Sequence, residues 1–250
     1  MEMKNQQKLK RIIVNNLNKK FRIGFGFSKS FLARLTSVFS GREPKKTLKA
    51  IDDVSLGLNS GEIMGIIGAN GSGKSTLLRI IAGIYSHDDG RVMTNGKIIS
   101  LINLGVGLKD RLTMKENIFL VGSYFGLSQK EIKNRFNSIV EFSELREFVN
   151  TKIYQFSSGM VQRLAFSIAI HSNPEILLLD EVFEVGDEDF KRKSADKIKE
   201  LVKTGASVIL VSHELDMIEK YCDMVILMRK GKIIDEGSAR EIIKRYSKYL

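Results

Sequence analysis

The 250-residue chain predicts an α/β fold with a mainly parallel sheet core, a leading antiparallel β-subdomain and a helical subdomain. Three observations carry this expectation. Short apolar runs (GEIMGIIG, EILLLDEVF and SVILVSHE) alternate with helical stretches, which is the pattern of interior strands covered on both faces. A glycine-rich loop joins the first of these runs to the helix KSTLLRIIAGIY. Residues 112–172 are helical by pattern and carry no strong strand signal.

Along the chain, RIIVN (11–15) and KAIDDVS (49–55) read as short strands of the leading sheet. Between them lies a basic, aromatic stretch broken by Gly24, Gly26, Gly41 and Pro44. Within it Phe31, Leu32, Leu35, Val38 and Phe39 form the stripe of a short amphipathic helix. After the glycine loop, RVMTNGKI and ISLINLG are candidate strands, with Asn95-Gly96 as a turn. Residues 175–183 suit an interior parallel strand, and DEDFKRKSADKIKELVKTG a helix closed by Gly205. SVILVSHE and DMVILMRKGKIIDEG supply further strands, and the last helix starts at Ser238 as its N-cap. This divides the chain into 1–111 (β-subdomain and phosphate-loop part of the core, with a basic aromatic insertion at 20–47), 112–172 (helical) and 173–250 (remainder of the core).

At 43% hydrophobic and 28% charged, the composition is that of a folded protein and excludes disordered and fibrous classes. No stretch approaches the roughly 18 unbroken apolar residues of a membrane span. The start, MEMKNQQKLKRII, has no apolar signal core. Cys222 is the sole cysteine, so there is neither a disulfide framework nor a cysteine cluster, and the chain reads as cytoplasmic. The net charge of +11 suggests nucleic acid until it is counted by region. Residues 1–50 hold thirteen Lys/Arg against Glu2 and Glu43, while the other 27 basic and 27 acidic residues cancel. The excess belongs to the N-terminal fifth.

Gly68-Ala69-Asn70-Gly71-Ser72-Gly73-Lys74-Ser75 fits G-x-x-x-x-G-K-[ST], with Thr76 next in the helix. Glycines let backbone N–H groups turn inward to cradle phosphates at a helix N-terminus. Lys74 would reach the β/γ-phosphates and the Ser75 hydroxyl would ligate Mg²⁺. The bland alternative is a glycine turn with a surface lysine. Ile176-Leu177-Leu178-Leu179-Asp180 is an apolar strand ending in an acid able to hold Mg²⁺. Glu181 follows as a candidate general base; the alternative is that both acids merely cap the strand. Phe156-Ser157-Ser158-Gly159-Met160, with Gln162-Arg163 shortly after, completes the series. In isolation SSG would be a helix N-cap, and His213 in VSHE a structural histidine.

In this order the motifs resemble those of ATP-binding-cassette (ABC) ATPases, whose signature is LSGGQ with QR following. Val185-Gly186-Asp187 stands where that family has its D-loop, and His213 where it has its switch histidine. The stretches GIIGANGSGKSTLLRIIAGI, LGVGL…LTMKENI, SSGM and LDEVFEVGD further resemble the subfamily of polysaccharide exporters. The resemblance implies ATP and Mg²⁺ as cofactors and a head-to-tail homodimer. In it Lys74, Ser75, Asp180, Glu181 and His213 of one copy face Ser157, Ser158, Gly159 and Met160 of the other. It implies two copies of a transmembrane permease, a lipid-linked polysaccharide as cargo, and a peripheral place on the cytoplasmic face of the bacterial inner membrane. O-antigen is favoured, with capsule and teichoic acid as alternatives. Because the chain stops soon after its last helix, no additional carbohydrate-binding domain is expected.

Ser158 and Met160 depart from the general family pattern, as does the coupling-loop glutamine, for which Asn103 is the stand-in. The aromatic that stacks on adenine would be Phe21, with Phe25 and Phe27 as rivals. The basic segment has three readings: a solvated face, contact with an anionic membrane surface, or docking on the permease or its substrate. A soluble ABC ATPase acting on nucleic acid is the first rival for the whole chain, and no nucleic acid is expected because residues 51–250 are charge-balanced. A nucleotide-gated regulator without turnover is the second, and the complete set Lys74, Asp180, Glu181 and His213 counts against it.

Overall fold

The computed structural model describes residues 9–23, 46–102, 107–180 and 187–246, and the elements, contacts and exposures below are theirs. The expected amphipathic helix at 31–39, together with Phe25, Phe27, Asn103, Glu181, Val185 and Gly186, lies outside these residues.

Two sheets organise the chain. In the smaller, β1 (Lys10–Ile23), β2 (Lys46–Asn59) and β4 (Asp89–Thr94) pair antiparallel in the order β2-β1-β4. The short strands expected at 11–15 and 49–55 run to fourteen residues each. The middle of β1 (Asn15, Asn16, Asn18, Lys19, Lys20) lacks an apolar alternation, so only the partner strand reveals its full length. Asn16 and Asp53 take left-handed backbone angles (φ 48 and 56) where the register shifts. Asn16 Nδ2 donates to Asp53 Oδ1 there at 3.0 Å. Pairing persists to Ile23↔Lys46, so residues 24–45 connect the two strands at the far end of this long hairpin.

The larger sheet has the order β5-β6-β7-β3-β8-β9. Its strands are β3 (Ile63–Ile67), β5 (Ile98–Leu101), β6 (Ile176–Asp180), β7 (Ser207–Val211), β8 (Met224–Arg229) and β9 (Lys232–Ser238). All pairings are parallel except β8 with β9. The Asn95-Gly96 dipeptide does not make a hairpin, because β4 and β5 belong to different sheets. It forms a corner between them, held by Glu175. One carboxylate oxygen accepts from Arg11 Nη1 and the other from Lys97 N, both at 2.8 Å.

Seven helices among the described residues complete the fold. They are α1 (Lys74–Ile81), α2 (Met114–Tyr124), α3 (Gln129–Ser143), α4 (Ser158–Ile170), α5 (Glu188–Lys203), α6 (Leu215–Tyr221) and α7 (Ala239–Tyr246). Helix α6, of two turns, buries only Ile218 and so leaves little periodicity in the sequence. The large sheet is covered on both faces, which is why β3 and β7 are apolar and buried throughout. On one side Met64, Ile66, Leu178 and Ile209 pack against α1 and the antiparallel sheet. On the other, Ile67, Leu177, Leu179 and Leu210 pack against residues of α4 to α7.

A third apolar cluster belongs to the helical unit of α2, α3 and the α4 residues Leu164 and Ile168. Helix α4 also gives Phe166, Ala169 and Ile170 to the sheet core, and α3 gives Phe142, so these two helices are shared by both bodies. Thr113 with Glu116, and Ser128 with Glu131, close the N-termini of α2 and α3 as capping boxes. Inside the unit, the fully buried Asn117 replaces missing backbone partners. Its Oδ1 accepts from Lys109 N at 2.7 Å, and its Nδ2 donates to the carbonyls of Lys109, Leu112 and Thr113 at 2.9–3.2 Å. Asn117→Ala removes all four of these part-buried bonds at once. We expect a loss of about 2 kcal/mol of stability in urea unfolding, with the far-UV spectrum unchanged.

Candidate nucleotide-binding site

The strand register brings the dispersed motifs together. Ile66 lies beside Val211, and Val211 beside Asp180, so β3, β7 and β6 end level with one another. The loop 68–73, residues 212–214 and Asp180 therefore emerge at a single sheet edge, where the carboxyl ends of parallel strands form a ligand crevice.

The loop owes its shape to contacts that admit no side chain. Gly68 has φ 146, and a Cβ there would stand 2.2 Å from the Met228 carbonyl oxygen. Gly73 has φ 110, with a Cβ position 2.6 Å from the Ala50 carbonyl oxygen. Ser72 N donates to Ala69 O at 3.1 Å, and Gly231 N to Ser72 O at 2.8 Å, which fixes the turn to the β8–β9 connection. Asn70 and Gly71 are exposed at the crest. Lys74 is only 5% exposed, and its ammonium donates to the Gly68 carbonyl at 2.7 Å and the Ala69 carbonyl at 3.2 Å. The cation is thereby held within the curve of the loop.

The first N–H groups of a helix have no intrahelical acceptor. At α1 these belong to Lys74, Ser75 and Thr76. Gly73 offers no side-chain cap, and the first turn has no acidic residue. Helices α2 and α3, by contrast, satisfy theirs with their own side chains. The start of α1 thus combines oriented donors, a helix dipole and a buried ammonium, which is what an oxyanion such as phosphate requires.

Asp180 ends β6 half-buried, with its Oδ1 inside the protein. His213 is exposed just beyond β7. Two contacts set its segment: Glu214 N donates to the buried Ser212 Oγ at 3.0 Å, and Lys191 of α5 reaches Glu214 at 3.1 Å. The short turn that Ser212 stabilises leaves no motif in the sequence.

The signature residues open α4. Ser157 is its N-cap, accepting from Met160 N at 3.2 Å through Oγ, and both Ser157 and Ser158 are exposed. A hydroxyl used as acceptor keeps its own proton to donate. Among the described residues, a Cβ on Gly159 would meet only Ser157 Oγ, at an ordinary 3.9 Å. Asp187 caps α5, with Oδ1 accepting from Phe190 N at 2.9 Å and Oδ2 from Arg163 Nη2 at 2.8 Å. The Phe190 N–H and the Arg163 guanidinium hold its carboxyl below the usual range. Both oxygens are thus engaged within the chain, so among the described residues Asp187 serves as an anchor.

Phe21, half-buried on β1, meets the edge of the exposed Tyr85 with ring centroids 5.8 Å apart. Lys19 Nζ lies 5.4 Å from the Phe21 centroid, and Arg79 stacks 5.7 Å from that of Tyr85. Asp88 fixes the strand beneath them by accepting from Lys20 N at 2.6 Å and from Lys19 Nζ at 3.2 Å. Tyr85 was not singled out in the sequence, because no spacing links it to Phe21.

A glycine loop between a buried central strand and a helix, with an acid ending a neighbouring strand, defines a P-loop nucleotide hydrolase. Comparison with known proteins narrows the class. The ABC transporter family model matches residues 51–184. The O-antigen export system ATP-binding protein RfbB of Klebsiella pneumoniae is 42% identical over 197 residues, 79% of this chain and 80% of that protein. The teichoic acids export ATP-binding protein TagH of Listeria monocytogenes is 41% identical over 201 residues. That match takes in 80% of this chain but 60% of the longer relative. Among solved structures, a dimeric ATP-binding cassette in a post-hydrolysis state, bound to ADP and Pi, superposes with a TM-score of 0.75. It is 24% identical, and the overlap is 92% of this chain and 99% of that one, a likeness of fold. The chain belongs to the ABC transporter family and is an ABC-type ATPase. Among the described residues, no helix is long and apolar enough to cross a membrane.

The packing of the loop gives a direct test. Gly73→Ala forces a Cβ against the Ala50 carbonyl at an unfavourable φ. It should weaken ATP binding at least about tenfold in a fluorescent-nucleotide titration.

Proposed function

We propose that this chain is the ATP-hydrolysing subunit of a polysaccharide export system, working as a dimer with two copies of a membrane permease. The observation that carries the two-copy reading is the first turn of α4. Ser157 and Ser158 are exposed there, and Gly159 stays bare although the described residues leave room for a side chain. A residue kept small without an internal reason suits a surface on which another molecule closes.

In this reading Gly68, Asn70, Gly71, Ser72, Gly73, Lys74, Ser75 and Thr76 hold the phosphates, and Phe21 stacks on adenine. The start of α4 of the second copy then meets the γ-phosphate. That places a helix N-terminus and the Ser157 hydroxyl against developing negative charge only in the closed dimer. ATP thereby favours closure, and hydrolysis removes the preference. Ser75 and Asp180 are hard oxygen donors of the kind Mg²⁺ takes. Bound there with ATP, the ion would supply positive charge to the β/γ-phosphates. Glu181 polarises the attacking water, His213 contacts the γ-phosphate region, and Asn103 stands in the coupling loop facing the permease.

The cargo class rests on the relatives named for O-antigen and teichoic acid export. We favour O-antigen on a lipid carrier, with the chain peripheral on the cytoplasmic face of the membrane. Glu181→Gln should keep ATP affinity, lower hydrolysis by about a hundredfold and accumulate an ATP-bound dimer in light scattering. Hydrolysis at the wild-type rate would show that Glu181 is not the base. Co-purification of the chain with its membrane subunit, followed by mass spectrometry of the bound glycolipid, tests the cargo.

A second element of the reading concerns residues 24–45. They join the last residue of β1, Ile23, to the first of β2, Lys46. We assign them contact with an anionic membrane surface, since basic residues near such headgroups contribute about 1 kcal/mol each. Neutralising Lys29, Arg34, Arg42 and Lys45 should reduce sedimentation with phosphatidylglycerol vesicles while ATP affinity stays unchanged. Undiminished binding would refute the assignment.

A further inference from the structure

Helix α3 ends in a conformation that its own closure does not explain. Glu144 follows the last helical residue with φ 61 and ψ 28, the left-handed region where a Cβ is crowded and glycine is the usual occupant. A glycine would end the helix at lower cost. What the glutamate adds is a carboxylate aimed at two cations. Its Oε2 accepts from Arg163 Nη1 at 2.8 Å, and its Oε1 from Lys193 Nζ at 3.1 Å.

These cations lead across the boundary between the two bodies of the fold. Arg163 belongs to α4, and its other terminal nitrogen holds Asp187, the N-cap of α5. Its guanidinium lies 4.8 Å from the centroid of Phe190, so the group is clamped by a charge on each side and a ring below. Lys193 of α5 also donates to the Phe142 carbonyl at 3.1 Å, near the negative end of the α3 dipole. Glu144 thus pairs its charge with both the helix opened by the signature turn and the helix opened by Asp187.

Two features separate this cluster from ordinary stabilisation. The acids are well exposed (Glu144 42%, Asp187 64%), and ion pairs of that exposure add little to folding stability. Its endpoints also belong to the proposed machinery. Arg163 lies less than two turns beyond Ser157 in the same rigid helix, and Asp187 follows the segment that begins with Glu181.

We propose that Glu144 is a positioning residue for ATP hydrolysis: by holding Arg163 and Lys193 it fixes α4 against α5, and so sets where the Ser157–Gly159 turn stands when a second copy closes. The assignment rests on the reading of that turn as acting in trans.

The left-handed backbone makes the test decisive. Glu144→Gly relaxes the backbone while deleting the carboxylate, and Glu144→Gln keeps the side-chain length while removing the charge. A helix-ending role alone predicts that glycine performs at least as well as glutamate. Positioning predicts that both variants of the full chain lose about tenfold in kcat, with KM for ATP within about twofold of wild type. The thermal midpoint of Glu144→Gly should not fall below wild type. In the Glu181→Gln background, adding Glu144→Gly should raise the ATP concentration for half-maximal dimer formation about tenfold. Wild-type kcat in Glu144→Gly, or a loss of kcat matched by a lowered thermal midpoint in both variants, would overturn the proposal. A Glu181→Gln parent that dimerises with ATP, beside an equally competent double variant, overturns the positioning role alone. A parent that forms no ATP-dependent dimer removes the trans reading, and the proposal falls with it.

Discussion

The fold depends on a phosphate loop wedged between backbone carbonyls from two different sheets. Met228 of β8 presses on Gly68, and Ala50 of β2 presses on Gly73, each so closely that a methyl group would collide. Asp52 N donates to Gly231 O, and Gly231 N to Ser72 O, which joins the antiparallel sheet, the β8–β9 turn and the loop into one strip of backbone. The small sheet is therefore more than a cover for α1. It forms one wall of the loop, and the core strand β8 forms the other. Because the nearest wall atoms are main-chain oxygens, the loop's shape is sensitive to its own glycines.

That wedge also determines the electrostatics. An ammonium at 5% exposure is costly to bury without partners, and Lys74 finds them in the carbonyls of the loop itself. The uncapped start of α1 stands beside it. Charge and donors are thus arranged before a ligand arrives, in surroundings drier than water, where each contact to an anion is worth more and little reorganisation is needed. The capping boxes of α2 and α3 make the contrast plain, since those helix starts are closed by their own glutamates and attract no anion.

The helical unit is attached to this rigid centre mainly by α4, which packs one set of side chains in each cluster, with Phe142 of α3 beside it. A helix shared in this way transmits displacement as a rigid body. Its apolar contacts set the depth of the attachment, and the charged contacts of Arg163 set its direction relative to α5. Non-directional packing leaves rotation soft, whereas paired nitrogens of a planar guanidinium fix an angle. Orientation at this junction is accordingly electrostatic, although its stability is hydrophobic.

The sequence by itself determined the class of fold, the phosphate loop, the acid ending β6 and the exposed SSG turn. Each of these is a local pattern: a strand–glycine–helix succession, an apolar run with a terminal carboxylate, and an N-cap. It left undetermined whatever depends on pairing between distant segments. The full lengths of β1 and β2 were hidden because Asn and Lys on a paired strand look like a loop until the partner is known. The Asn95-Gly96 corner looked like a hairpin because the turn residues are the same, and only Glu175, far along the chain, divides the flanking strands between two sheets. Tyr85 and Glu144 carried no signal, since Phe21 on the one hand and Arg163 and Lys193 on the other are remote from them in sequence. Tertiary structure decided those roles, because hydrogen bonds and ion pairs act over about 3 Å of space whatever the separation along the chain.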